Sequence, residues 1–171
     1  GAEQRVADPF LRVFGVDQDT IAGVVSRDLQ SAGLRLAVVE LTTQGELSLQ
    51  MGEAARQYPC AWAGGVVVAD RPSLVQALGL HEDPDLEFPS QVWADRAAEA
   101  VRDRFSAQLG LAIIGPLHGG GPDTPDAYLA LATPMGLVQD EPRRTREGAI
   151  GRWSLIYAGM DMVRHYLAAA G

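Results

Sequence analysis

Lysine is absent from all 171 residues, so each of the 14 basic side chains is an arginine. No lysine amine can therefore act here as a base or Schiff-base former, and cation-based recognition falls to guanidinium groups. Cysteine is nearly missing too. A single thiol, Cys60, excludes an internal disulfide and a cysteine-built zinc site. Lying in an apolar run, it is expected to be a buried thiol. A basic surface is also lacking: 22 acidic residues leave a formal charge of −8, which argues against a nucleic-acid partner. No apolar run reaches the length of a membrane span, and the N-terminal sequence has no signal-peptide pattern. A cytoplasmic protein without a membrane partner is expected. His81 and His165 are isolated and give no ligand spacing, so neither a metal site nor a cofactor is expected.

What is present suffices for one domain with a sizeable core, at 47% apolar and 21% charged residues. Residues 1–16 show weak pattern and read as an entry segment or linker, and 17–171 as a single domain. The chain opens on Gly1-Ala2, as a piece of a longer protein would. Asp17–Thr20 offers N-cap candidates for a helix ended by Gly33. A strand is expected over Leu34–Glu40, a helix over Gly45–Tyr58 and a strand over Ala61–Ala69, where Gly64-Gly65 signals a bulge or close backbone approach. A short helix Pro72–Leu78 follows, then a long one over Gln91–Leu109 started by Ser90 and stopped by Gly110. Strands Leu111–Ile114, Ala127–Thr133 and one beginning at Gly136–Val138 precede a last helix over Ala149–Ala169. This order predicts an α/β fold: a three-layer α/β/α sandwich around a mixed, mostly parallel sheet of about five strands.

Two turns leave the ends of apolar strands, where such sheets bind ligands. In the first, Glu40–Gly45, the hydroxyls of Thr42 and Thr43 and the backbone at Gly45 suit either an anion site or simple helix capping. Leu41, just after the carboxylate, stands where a nucleophile would be useful and carries no reactive atom. In the second turn, Gly119, Gly120 and Gly121 permit an anion-binding nest or a plain surface loop. His118 is a candidate base. Arg143, Arg144 and Arg146 could clamp a phosphate or balance an acidic surface. Tyr58, Trp62 and Trp93 could stack on a heterocycle or sit in the core.

These segments, in this order, resemble the C-terminal domain of the CinA family, the nicotinamide-nucleotide amidohydrolases, from about Asp17 to Leu167. The family's Ala-Glu-Ser-Cys-Thr-Gly-Gly motif falls on Val39-Glu40-Leu41-Thr42-Thr43-Gln44-Gly45. Glu40, Thr43 and Gly45 match it. The nucleophilic serine falls on Leu41 and the cysteine on Thr42. Along Gly64–Leu80 the frame of the Gly-Gly-Val strand is kept, yet the family's tyrosine falls on Ala69 and its lysine on Leu74. Ser90 matches a serine turn. In the glycine loop Gly115, Gly120 and Gly121 persist while a threonine has become Ile114. Arg146, or else Arg143, stands for an arginine of the late turn.

The resemblance implies ligand contacts at Glu40, Gly45, Ser90, Gly115, Gly119, Gly120, Gly121, Arg143 and Arg146. It also implies a homodimer, a pyridine nucleotide or other small molecule as ligand, and an upstream molybdopterin-binding-like domain. The four polar positions replaced by Leu41, Ala69, Leu74 and Ile114 imply a catalytically degenerate domain acting in assembly, ligand binding or as a scaffold. The alternative is an active amidohydrolase, converting nicotinamide mononucleotide to nicotinic acid mononucleotide and ammonia, with Thr42 or Thr43 as relocated nucleophile and His118 as base.

Overall fold

A computed structural model describes residues 20–171, so the segment expected over 1–16 lies outside the described residues. The elements are α1 (Ile21–Ala32), β1 (Leu36–Glu40), α2 (Glu46–Ala54), β2 (Trp62–Val67), α3 (Arg71–Leu78), α4 (Gln91–Arg104), β3 (Leu109–Ile114), β4 (Tyr128–Thr133), β5 (Gly136–Gln139) and α5 (Gly148–Ala170). The strands form one sheet in the order β2-β1-β3-β4-β5. β1 pairs in parallel with β2 and β3, which the helical crossovers allow; β3–β4 and β4–β5 are antiparallel and need only short connections. Only β4 runs against the others, so the mixed five-stranded sheet matches the expectation.

Alternation along the strands divides the core in two. Leu36 and Val38 of β1, Leu109, Leu111 and Ile113 of β3, and Leu129 and Leu131 of β4 face α1, α2 and α5. Ala37, Val39, Ala112, Ile114, Ala130 and Ala132 face the other way, toward α3 and α4. One face is thus built of large side chains and the other mostly of small ones. The small face lets α4 come close: a Cβ on Gly110 would clash with the carbonyl oxygen of Ala98. α4 answers with Ala94, Ala97 and Ala98, all fully buried. No helix among the described residues is long and apolar enough to cross a membrane.

Several boundaries differ from the sequence reading. α4 stops at Arg104, because Ser106 adopts a left-handed φ of 50° and the Ala107 N–H turns back to the Arg102 carbonyl. Leu109 and Gly110 therefore begin β3, and Gly110 is a strand residue rather than a helix cap. α2 is shorter than Gly45–Tyr58 and gives way to turns after Ala54. β1 begins at Leu36, since the Leu34 N–H still closes α1 by bonding to Leu29. Cys60 is exposed, not buried. Both readings of Gly64-Gly65 hold: the β1–β2 register shifts there, and a Cβ on Gly64 would strike the Phe105 ring.

Candidate functional site at the ends of β1 and β3

β1 and β3 are neighbours, with Glu40 opposite Ile113, and the Leu41 N–H extends the ladder to the Ile113 carbonyl at 3.0 Å. The two turns singled out in the sequence therefore leave the sheet side by side. From β1 the chain crosses to β2 on one side, and from β2 it returns to β3 on the other. A crevice opens at such a reversal. Gln44, held at φ 56°, donates its side-chain amide to the Leu117 carbonyl at 2.9 Å and ties the two turns together.

Glu40 is fully buried at the foot of this crevice. One carboxylate oxygen accepts from Thr43 Oγ1 at 2.6 Å and the Leu47 N–H at 3.0 Å. The other accepts from the Ser48 N–H at 2.8 Å and Ser48 Oγ at 2.5 Å. Leu47 and Ser48 lie in the first turn of α2, where backbone donors have no helical partner. The cap position is Gly45, at φ 90°, which has no side chain to satisfy them. Glu40 does so from the preceding strand, placing a carboxylate at the positive end of the helix. The anion site considered for this turn is thus filled by the protein's own side chain. Ser48 was missed in the sequence; a Cβ on Gly65 would collide with Ser48 Oγ, so that glycine makes room for the contact.

Residues 41–43 offer two hydroxyls, both buried. Leu41 is 2% exposed and packs with Val39, Trp93 and the α4 alanines. Thr43 is fully buried and its hydroxyl is committed to Glu40. Thr42 Oγ1 is shielded from solvent with no hydrogen-bond partner. It lies against Gly115, where an added Cβ would come within 2.5 Å of it. Thr42 Oγ1 has no base within hydrogen-bond reach, and the carboxylate that Thr43 Oγ1 reaches is already held by three further donors from Leu47 and Ser48.

Two cavities flank this turn and share Leu117. The first, about 260 Å³, is lined by Thr42, Gln44, His118, Arg146, Glu147 and Arg152 among others. Arg152 was not anticipated; placed one turn into α5, it pairs with Glu46 at 2.8 Å. His118 is exposed in this cavity, and no hydrogen bond within the described residues orients its ring. The second cavity, about 420 Å³, has walls of Leu41, Ala69, Phe88, Pro89, Pro116 and Leu117. Leu74 and Ile114 lie behind it, fully buried in the same cluster as Leu41. Asp70 and Arg71 stand at its rim. Hydrogen bonds from Ser73, side chain first and backbone second, hold the Asp70 carboxyl below its ordinary value of 3.8.

Other sequence candidates serve the fold. Gly119 and Gly120 approach their own chain, where a Cβ would meet Thr145 and Glu147 respectively; Gly121 is pinned by its N–H to Thr124 Oγ1 at 2.9 Å. Ser90 caps α4. Arg143 forms an ion pair with Asp140 at 2.8 Å and bridges to Ala127, leaving Arg146 as the member of the pair that lines the polar cavity. Trp93 is fully buried, and Tyr58 and Trp62 pack against the core on the opposite sheet face.

The described residues thus form an α/β domain with a crevice at the carboxyl ends of two parallel strands and a glycine-rich loop beside it. No family model matches the chain. A competence-damage inducible protein of Desulforamulus reducens is 30% identical over 165 residues, covering 92% of this chain and 39% of its own. A CinA-like protein of Synechocystis is 33% identical over 85% of this chain and 38% of its own. Among solved structures, a CinA superfamily protein from Klebsiella pneumoniae superposes with a TM-score of 0.74 at 19% identity, covering 87% of this chain and 96% of that one. A competence/damage inducible protein from Agrobacterium tumefaciens gives 0.68 at 22%, covering 92% and 95%. The chain carries a domain of the CinA family. It spans about two fifths of the length of those curated relatives.

Proposed function

We propose that this CinA-family domain keeps the strand-end crevice as a small-molecule binding site and has given up amide hydrolysis. One observation carries the reading: each residue of the Leu41-Thr42-Thr43 turn lacks an available nucleophile. Leu41 has no reactive atom, the Thr42 oxygen is shielded against Gly115, and the Thr43 hydroxyl is spent on Glu40. A homodimer and an upstream molybdopterin-binding-like domain belong to the same proposal; light scattering on the purified chain tests the first.

The test of catalysis is direct. The purified chain is incubated with nicotinamide mononucleotide, and ammonia and nicotinic acid mononucleotide are measured beside a CinA protein that retains the serine motif. The expected result is no turnover above the buffer blank. Turnover comparable to the control would overturn the proposal. The second reading, an amidase built on Thr42, rests on Thr42 and His118 lining one cavity. It requires turnover that Thr42→Val abolishes.

A further inference from the structure

The apolar cavity occupies the place where the family resemblance puts a nucleophile and a tyrosine, and its chemistry here is different. Leu41 and Ala69 take those two positions, and Phe88, Pro89, Pro116 and Leu117 complete the walls. At about 420 Å³ it falls within the range of pockets that hold small organic ligands. The walls are stiff. The Phe88 ring is braced edge-to-face against buried Trp93, with centroids 5.8 Å apart and planes at 75°. Two prolines contribute no side-chain freedom to be lost on binding. No side chain collapses to fill the space, because Ala69, exposed at the mouth, is too short to do so.

The rim adds a charge. Asp70 is engaged in capping α3, accepting from the Ser73 N–H at 2.8 Å. Arg71 contacts Glu82 through Nε at 3.2 Å. A guanidinium has five N–H donors, and that contact leaves its terminal nitrogens able to meet an anion in the bidentate manner that suits a planar carboxylate. The cavity therefore presents a stiff apolar trough, open to solvent, with the Arg71 guanidinium at its lip beside the Asp70 and Glu82 carboxylates.

Resting on the reading of the crevice as a binding site, we propose that this cavity binds a small apolar acid. Its aryl or branched hydrocarbon body would sit between Leu41, Ala69, Phe88 and Leu117, with its single carboxylate on Arg71. A neutral carboxamide at the lip would meet Arg71 without charge assistance, so an amide of the same body is expected to bind more weakly than the acid.

The test uses two fluorescent probes of one shape. 8-Anilinonaphthalene-1-sulfonate carries an anion, and N-phenyl-1-naphthylamine is its neutral counterpart. Saturable binding of the sulfonate at one site per chain is expected, with a several-fold preference over the neutral probe and displacement by 3-phenylpropanoate but not by 3-phenylpropanamide. Ala69→Phe, which fills the box from its exposed mouth, should weaken the sulfonate at least tenfold. Arg71→Gln should abolish the preference for the anion while retaining the neutral probe. Met135→Ser, at a distant exposed apolar residue, should change nothing.

Far-ultraviolet dichroism checks that each variant folds, and Leu117→Gln replaces Ala69→Phe if the latter does not. Absence of saturable binding to the unaltered chain, or equal binding by the cavity variant, overturns the inference. Because these readouts contain no amide turnover, their failure leaves the loss of catalysis standing, and amidase activity would sink that reading without bearing on the probes.

Discussion

Glu40→Gln separates a structural carboxylate from a ligand-binding one. Glu40 takes four donors on two oxygens. The glutamine amide keeps the shape but turns one oxygen into a donor. If that is the oxygen facing Ser48, the Ser48 N–H confronts another N–H, while its hydroxyl can rotate to accept. If it is the other oxygen, the Leu47 N–H is stranded instead. Either orientation orphans one backbone donor, at about 1–3 kcal/mol. The surviving bonds also lose their charge assistance, roughly half their strength. The total is about 3 kcal/mol, which for a domain of this size lowers Tm by roughly 6–12 °C. Calorimetry measures the shift. Amide hydrogen exchange locates it, with faster exchange expected at Leu47 and Ser48 before the rest of α2. A variant within about 0.5 kcal/mol of the parent, or a more stable one as often found when a functional residue is removed, would refute the assignment of Glu40 as the remote cap of α2.

Three further outcomes follow from the same geometry. Thr42→Val replaces a buried, unpaired hydroxyl by a methyl group of similar size and should stabilise the chain by about 1 kcal/mol in chemical denaturation. A loss of stability there would mean that the hydroxyl has a partner. Gly110→Ala pushes a methyl into the Ala98 carbonyl and should cost roughly 1–3 kcal/mol as α4 is displaced from the sheet; an unchanged Tm would contradict the close packing. Asp70 has a folded-state pKa below 3.8, so its contribution is fully present above that value and is lost as pH falls through the lower folded one. Asp70→Asn should remove that acid-limb dependence, and a carboxyl titration by NMR at or above the ordinary value would contradict it.

Much of the fold was legible because its helices carry a helical spacing and its strands are apolar runs bounded by turn residues. The apolar runs Leu34–Glu40, Leu111–Ile114 and Ala127–Thr133 read as strands in the sequence, and the sheet sorts their side chains to opposite faces. The end of α4 was not legible, because Phe105 and Leu109 continue a helical spacing and Gly110 looks like a stop. The turn is made instead by Ser106 in a left-handed conformation, a choice imposed by the strand that follows. Gly110 is required by a helix passing over it, a contact invisible in one dimension. In the site, both turns were found from their chemistry, but their roles were misjudged where partners lie far along the chain. Ser48 and Arg152 are ordinary helix residues until Glu40 and Glu46 are seen to reach them. The glycine run suggested a nest, and two of its three glycines accommodate the turn before α5.

The four apolar residues on which the resemblance implies polar family positions do not share one environment, and the difference bears on whether the proposed loss of chemistry could be reversed. Leu41, Leu74 and Ile114 are buried side chains of one cluster with Trp93 and the α4 alanines. Each contributes core packing of about 1.5–3 kcal/mol relative to an exposed position. Ala69 alone remains at the surface, and its short side chain leaves the cavity open. Leu41→Ser would therefore place a hydroxyl in an apolar cluster, in a chain that has no lysine to act as its base. It would also remove a core leucine, at roughly 2–5 kcal/mol. The expected outcome is a lower Tm and no release of ammonia from nicotinamide mononucleotide. Substantial turnover from that single change would show that a working base faces position 41, and the proposal that amide hydrolysis was given up would have to be abandoned.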